Sequence, residues 1–253
     1  LVRESHPWKD LVCLVKLSSW LAQNRYAIIH THTSKAGFLG RLAARLAKVP
    51  GVIHTPHGHV FHSYFNPLEE RFFLNLERRA ARWSDRLIAL TNRCQLEHLE
   101  RGVGSPEKWV TIPSGVNEKL FEECRVQNEE FLNQFGVPPQ RKIVGFIGRL
   151  APVKGVRDLI EALPPIFEAV PQTHCFIVGD GEEKVPLQKR SDELGLQKRV
   201  TFTGHRGDIA EFLSLFDVLV VPSLNEGMGR GIAEGGFLRK AVVGTKVGGI
   251  PDL

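Results

Sequence analysis

Glu226-Gly227-Met228-Gly229-Arg230-Gly231-Ile232-Ala233-Glu234 follows the apolar run Val218-Leu219-Val220-Val221-Pro222-Ser223, so two carboxylates bracket a loop that carries three glycines. The apolar residues between Asp217 and Pro222 predict a buried strand, and the run from Gly231 to Lys240 predicts a helix. The glycines therefore stand at a strand-to-helix turn. Glycine lets the main chain come close to an anion, and the N–H groups and positive dipole end of a helix favour negative charge there. Glu226 precedes the helix at the carboxyl end of the strand, where open α/β sheets place their ligands. Glu234 falls about one turn into the helix, within reach of ribose hydroxyls if phosphates occupy the turn. A surface helix with two solvated glutamates has the same Glu-x7-Glu spacing, and the flanking glycines weigh against it.

Outward from this stretch, strands and helices alternate. Strands are predicted at Ile143–Ile147, His174–Val178, Val200–Thr203 and Val218–Val221, with helices at Gly155–Val170, Glu182–Leu194 and Ile209–Phe216. The first half repeats the pattern. Trp8, Leu11, Val12, Val15 and Leu17 recur at the spacing of an amphipathic helix, and Tyr26–His32 is a strand. Ser34 is the expected cap of a helix from Lys35 to Lys48, which Pro50-Gly51 ends. Val52–Thr55, Asp85–Thr91 and Trp109–Pro113 read as strands, with helices opening at Pro67 and Asn92. This alternation predicts α/β architecture, two Rossmann-like domains with parallel sheets facing a cleft. The polar run 117–140 reads as the linker between a domain at 1–116 and one at 141–253.

Composition narrows the class. With 42% hydrophobic and 24% charged residues among 253, the chain is of ordinary soluble, globular composition. No window approaches the roughly 18 to 20 apolar residues that cross a bilayer. The start lacks the apolar core of a signal peptide. Cys13, Cys94, Cys124 and Cys175 are far apart and read as reduced thiols of a cytoplasmic protein. Residues 1–110 hold 16 Lys or Arg against 9 Asp or Glu, within a net charge of +5 for the whole chain. That imbalance suits an anionic membrane surface, a phosphorylated acceptor or simple solvation. The basic residues are dispersed and no nucleic-acid module is visible, so nucleic acid is not the expected partner.

Six of the ten histidines lie between His30 and His62, which raises metal binding. His30 with His32, or His54 with His57, would supply ligands, yet Asp and Glu are absent from residue 11 to residue 68 and no cysteine completes a shell. No metal is expected. Neutral imidazole equally suits hydrogen bonds to ligand hydroxyls, and His62 and His98 read as surface or packing residues.

The Glu226-to-Glu234 stretch resembles the Glu-x7-Glu motif of the retaining family 4 glycosyltransferases. Gly148-Arg149-Leu150 with Lys154-Gly155 resembles that family's diphosphate-holding segment. Phe176–Gly181, Phe202-Thr203-Gly204-His205 and Gly248-Gly249-Ile250-Pro251-Asp252 are similar to its next segments, the last with Asp where the family has Glu. His30-Thr31-His32-Thr33-Ser34-Lys35-Ala36-Gly37 and His54-Thr55-Pro56-His57-Gly58 look like segments of bacterial members that build surface polysaccharides. The resemblance implies the GT-B fold, with residues 1–116 as the acceptor-side domain and 141–253 as the nucleotide-sugar-binding one. It implies transfer of a sugar from a nucleotide diphosphate to a hydroxyl acceptor with retention.

In that scheme Arg149 and Lys154 hold the diphosphate, with the amides around Gly229, Arg230 and Gly231. Glu226 contacts the donor sugar and Glu234 the ribose. Gly204 and His205 place the base, and His57 hydrogen-bonds to the sugar. No cofactor beyond the nucleotide-sugar donor is implied, since no Asp-x-Asp is present to hold a diphosphate-bridging metal. A lipid-linked acceptor at the inner membrane face is the expected setting. By the same resemblance the chain lacks the family's first strand and last elements, so a binding-competent but inactive fragment is one alternative. A nucleotide-sugar 2-epimerase of the same fold is another.

Overall fold

The computed structural model describes residues 6–58, 66–122 and 128–253; His59, His62 and Cys124 lie outside them. Two compact units emerge. The first comprises residues 1–114 with Asn225–Met228 and Asp252, and the second comprises 115–224 with 229–251 and Leu253.

In the first unit, α1 (Pro7–Asn24), β1 (Ile28–His32), α2 (Ser34–Leu46), β2 (Gly51–Thr55), α3 (Pro67–Ala81), β3 (Arg86–Ala89), α4 (Asn92–Glu100) and β4 (Trp109–Thr111) follow one another. The strands pair in parallel in the order β1-β2-β3-β4. Small residues line the interior, with Ala43, Ala44, Ala80, Ala81 and Ala89 all fully buried, so backbones pack closely. Asn66 caps α3 by accepting from the Leu68 and Glu69 amides, with Glu69 reaching back to close a capping box.

Two local expectations are corrected. Ser34 is the first residue of α2, and the cap position belongs to Thr33, whose side chain makes no capping bond. Thr33 takes a φ of 62°, which turns its hydroxyl away from the cap geometry. α1 forms as the apolar spacing predicts, but Trp8, Leu11, Val12 and Val15 are exposed. The helix carries a second apolar stripe through Leu14, Leu17 and Leu21. That side, with Asp10 ion-paired to Lys35 at 2.7 Å, faces inward.

In the second unit, α5 (Glu118–Glu122), α6 (Asn128–Asn133), β5 (Lys142–Ile147), α7 (Val156–Ala169), β6 (Thr173–Val178), α8 (Lys184–Glu193), β7 (Val200–Gly204), α9 (Ile209–Leu215), β8 (Val218–Val221), α10 (Arg230–Phe237) and β9 (Ala241–Gly244) form a five-stranded parallel sheet ordered β7-β6-β5-β8-β9. Every residue of β6 is buried, as a strand covered on both faces requires. α7 presents Val156, Leu159, Ile160, Leu163 and Phe167 to one face, the spacing of a single helix side. Phe176, Phe212 and Phe216 fill the other face. Residues 117–122 and 128–140, parts of the stretch read as a linker, belong to this unit, with Phe121, Leu132 and Val137 buried in the same cluster. Their apolar residues are too sparse to show a period, and only the packing reveals them.

Candidate donor site at the sheet switch point

The chain order of the second sheet fixes where a ligand fits. β5 comes first, β6 and β7 continue to one side, and β8 and β9 are added on the other. The strand order thus reverses between β5 and β8, which are directly paired. At such a reversal the loops leaving the two strands diverge, and a crevice opens at the carboxyl ends. The described strands of the first unit run in simple sequence with no reversal. The switch point is therefore a property of the second unit.

The loop after β5 carries Gly148, Arg149 and Lys154. It is held by the neighbouring strand ends. The Gly148 N–H donates to the Val178 carbonyl at 3.0 Å, and the Leu150 N–H to that of Asp180 at 2.9 Å. The Gly179 N–H in turn donates to Gly204 O at 2.9 Å. Gly148, Gly179 and Gly204, far apart in sequence, thereby align at one edge of the sheet. Lys154 ends a short 3-10 turn, Pro152–Lys154, and Gly155 follows at φ 62°. A Cβ on Gly155 would run into the Pro222 carbonyl oxygen, and the Leu224 N–H donates to Val153 O at 2.8 Å. Lys154 is thus fastened to the end of β8, on the far side of the switch point from Arg149.

α10 opens at the same edge. Gly229 is its cap residue at φ 78° and has no side chain to satisfy the first amides, so the helix presents N–H groups and its positive dipole end. Arg230 is exposed, and its Nε stands 3.0 Å from Oε1 of the largely buried Glu234. Burial pushes the Glu234 carboxyl above the usual range, and Arg230 opposes the rise.

Arg149 does not stand alone. Its guanidinium donates to the Glu182 carboxylate at 2.7 Å. Beside Gly204, Lys184 donates to Asp180 at 3.0 Å. The Lys184 hydrogen bond, foremost, holds the Asp180 carboxyl below its ordinary value. Glu182 and Lys184 escape sequence reading, and Asp180 enters it only as part of the Phe176–Gly181 segment, with no role assigned. Their only signal is the charged run that follows Gly179, which looks like any solvated turn.

His57 and Glu226 fall in the first unit. There Gly227, next to Glu226, packs against the main chain of His57 so closely that a Cβ would meet the His57 carbonyl. Thr91 Oγ1 donates to the Gly227 carbonyl at 3.4 Å. His32 Nδ1 lies 2.8 Å from His57 Nε2, and His30 Nε2 lies 2.8 Å from Thr55 Oγ1. Burial, more than the adjacent His32, lowers the His57 imidazole below its ordinary range. His98 is a packing residue, with Nδ1 2.7 Å from the Cys94 carbonyl. Burial pushes the Cys94 and Cys175 thiols up to about 12, which leaves neither as a thiolate nucleophile.

Residues 127–253 match the family model of glycosyl transferases group 1, and residues 1–115 match that of a glycosyl transferase 4-like domain. The chain belongs to the group 1 glycosyl transferases. It is 36% identical over 229 residues to an Escherichia coli UDP-Gal:alpha-D-GlcNAc-diphosphoundecaprenol alpha-1,3-galactosyltransferase, covering 89% of this chain and 59% of that protein. It is 30% identical over 243 residues to a Streptomyces fradiae 2-deoxystreptamine N-acetyl-D-glucosaminyltransferase, covering 89% of this chain and 56% of that protein. The structure of Anabaena Alr3699/HepE in complex with UDP-glucose superposes with a TM-score of 0.82 at 28% identity, covering 98% of this chain and 67% of that one. This glycosyl transferase chain therefore spans somewhat more than half the length of the two sequence relatives. Its two parallel-sheet units are those of the GT-B fold.

Proposed function

We propose that the chain carries the donor site of a glycosyltransferase that moves a hexose-type sugar from a nucleotide diphosphate to a hydroxyl acceptor with retention. The observation that carries this reading is the meeting of Arg149, Lys154 and the glycine-capped start of α10 at the switch point of one sheet. When the sugar–phosphate bond breaks, charge builds on the leaving diphosphate. Arg149 offers a planar fork to phosphate oxygens, Lys154 a compact charge, and the Gly229–Gly231 amides fixed dipoles. Glu234 reaches the ribose, and Gly204 with His205 places the base through main-chain groups. We assign Glu226 and His57 to the donor sugar. No side chain is required as nucleophile, because the departing phosphate takes the acceptor's proton.

The structure of Anabaena HepE in complex with UDP-glucose supports a UDP-sugar donor, and the diphosphoundecaprenol-linked acceptor of the E. coli relative supports a lipid-linked one. No helix among the described residues is long and apolar enough to cross a membrane. The excess of Lys and Arg over Asp and Glu in residues 1–110 supports contact with such an acceptor at the inner membrane face.

Isothermal titration of the chain with UDP, GDP and ADP in EDTA tests the reading. Saturable, metal-independent binding of one nucleotide, weakened in Lys154→Ala, is expected. A folded chain that binds none of the three refutes the donor-site assignment. With the bound nucleotide's sugar and no acceptor, release of an epimerised nucleotide sugar would decide for a 2-epimerase instead.

A further inference from the structure

We propose that His32 is a positioning residue for His57: the hydrogen bond between the two imidazoles holds His57 in one neutral tautomer and leaves its other nitrogen to accept from a donor-sugar hydroxyl. The inference rests on the reading that His57 faces that sugar.

The backbone at these residues is unusual. β1 and β2 pair in register, with His32 opposite Thr55, and each strand then leaves the sheet through a residue at φ 62°, Thr33 after β1 and His57 after β2. Neither is glycine, and for a β-branched residue such as Thr33 a positive φ is a true outlier. Strain of this kind persists only where the surroundings over-determine it, and it clusters at sites that hold a ligand.

Three contacts over-determine it here. The Thr33 N–H donates to the Thr55 carbonyl at 3.1 Å. His30 Nε2 and Thr55 Oγ1 are 2.8 Å apart, as are His32 Nδ1 and His57 Nε2. The three rings also lie side by side in sequence, tilted by 40° and 34°, with centroids 4.2 Å apart for His30 and His32 and 5.0 Å for His32 and His57.

Proton counting gives the contact its consequence. Two ring nitrogens at 2.8 Å must share one proton, since two protons would repel and none would leave two lone pairs facing each other. If His57 Nε2–H donates to His32 Nδ1, both rings carry the Nε2–H tautomer, the commoner form of neutral imidazole. His57 Nδ1 is then left as an acceptor for a sugar hydroxyl. Nothing in this arrangement needs a metal, and no group of three His, Cys, Asp or Glu among the described residues could hold one.

The test is selective 15N-histidine labelling of the chain with long-range proton–nitrogen spectra at a pH where the rings are neutral. His57 should show one tautomer in the wild type. In His32→Phe, which keeps an aromatic ring and removes its nitrogens, His57 should show a mixture, and His32→Asn, with an amide where Nδ1 stood, should restore the single form. Titration with UDP and UDP-glucose supplies the second arm. The gain in affinity from the glucose should fall about fivefold in His32→Phe, a loss on the scale of one hydrogen bond, while UDP alone binds as before.

An unchanged His57 spectrum in His32→Phe overturns the proposal whatever the ligands do. If His57→Ala leaves the glucose gain intact while His32→Phe alters the His57 tautomer, the placement of His57 at the sugar fails and the pairing stands. If His57→Ala removes the gain and His32→Phe does not, the positioning role is refuted and the donor-site reading survives.

Discussion

Arg149 donates to Glu182 across 2.7 Å, and both side chains are nearly half exposed. The cation expected to meet phosphate is already engaged by a carboxylate two residues beyond Asp180. An exposed pair of this kind is worth only about 0.2–1 kcal/mol, so an incoming diphosphate displaces or shares it at little cost. Glu182→Gln should therefore strengthen nucleotide binding by about two- to threefold at low salt. The gain should fade as salt screens the pair. Titration at two ionic strengths checks both statements, and weaker binding in the variant would show that Glu182 itself serves the ligand.

Arg41 and Glu77 form the opposite kind of pair. Arg41 is fully buried and meets both Glu77 oxygens, at 2.8 and 2.9 Å, while its Nε donates to the Gly37 carbonyl. Removing one partner strands a buried charge. Arg41→Met should cost about 3–5 kcal/mol in urea unfolding, and Arg41→Met with Glu77→Leu should recover much of it. A single variant that unfolds like wild type would mean the ion pair is not formed.

Gly155 ties the Lys154 turn to β8. Alanine there would face both the φ of 62° and the Pro222 carbonyl. Gly155→Ala should lower stability by more than about 1 kcal/mol and weaken nucleotide binding by displacing Lys154. Thermal melting and titration of the same sample separate the two effects. Intact melting with intact binding would rule out the close approach.

Acid should destabilise the chain through two buried histidines. Burial is the main cause that lowers His54 to about 2 and His174 to about 4, from an ordinary 6.5. Both are held neutral when folded and take protons when unfolded. Their contribution is fully present above pH 6.5 and is lost as pH falls, for His174 down to about 4 and for His54 further. Each costs at most about 1.4 kcal/mol per pH unit across its window. His174→Gln should flatten the fall between pH 6 and 4, roughly the window of that shift, and chemical unfolding at stepped pH reads the slope.

Several features were legible in residue order alone. Period-two and period-3.6 patterns settle most strands and helices, because each element must bury one face. The strand-to-helix turn within the Glu226–Glu234 stretch was legible too, because glycines and helix starts leave local signals. Other features lie in pairs that no local pattern encodes. β9, the burial of Phe121 and Leu132, the Arg149–Glu182 and His32–His57 contacts, and which stripe of α1 faces inward all depend on residues brought together by chain crossings. Residue type and spacing were enough to give the α/β class and the family. The strand order that opens the switch point, and the ion pairs at its edge, come instead from packing across the sheet, which sets which distant side chains become neighbours.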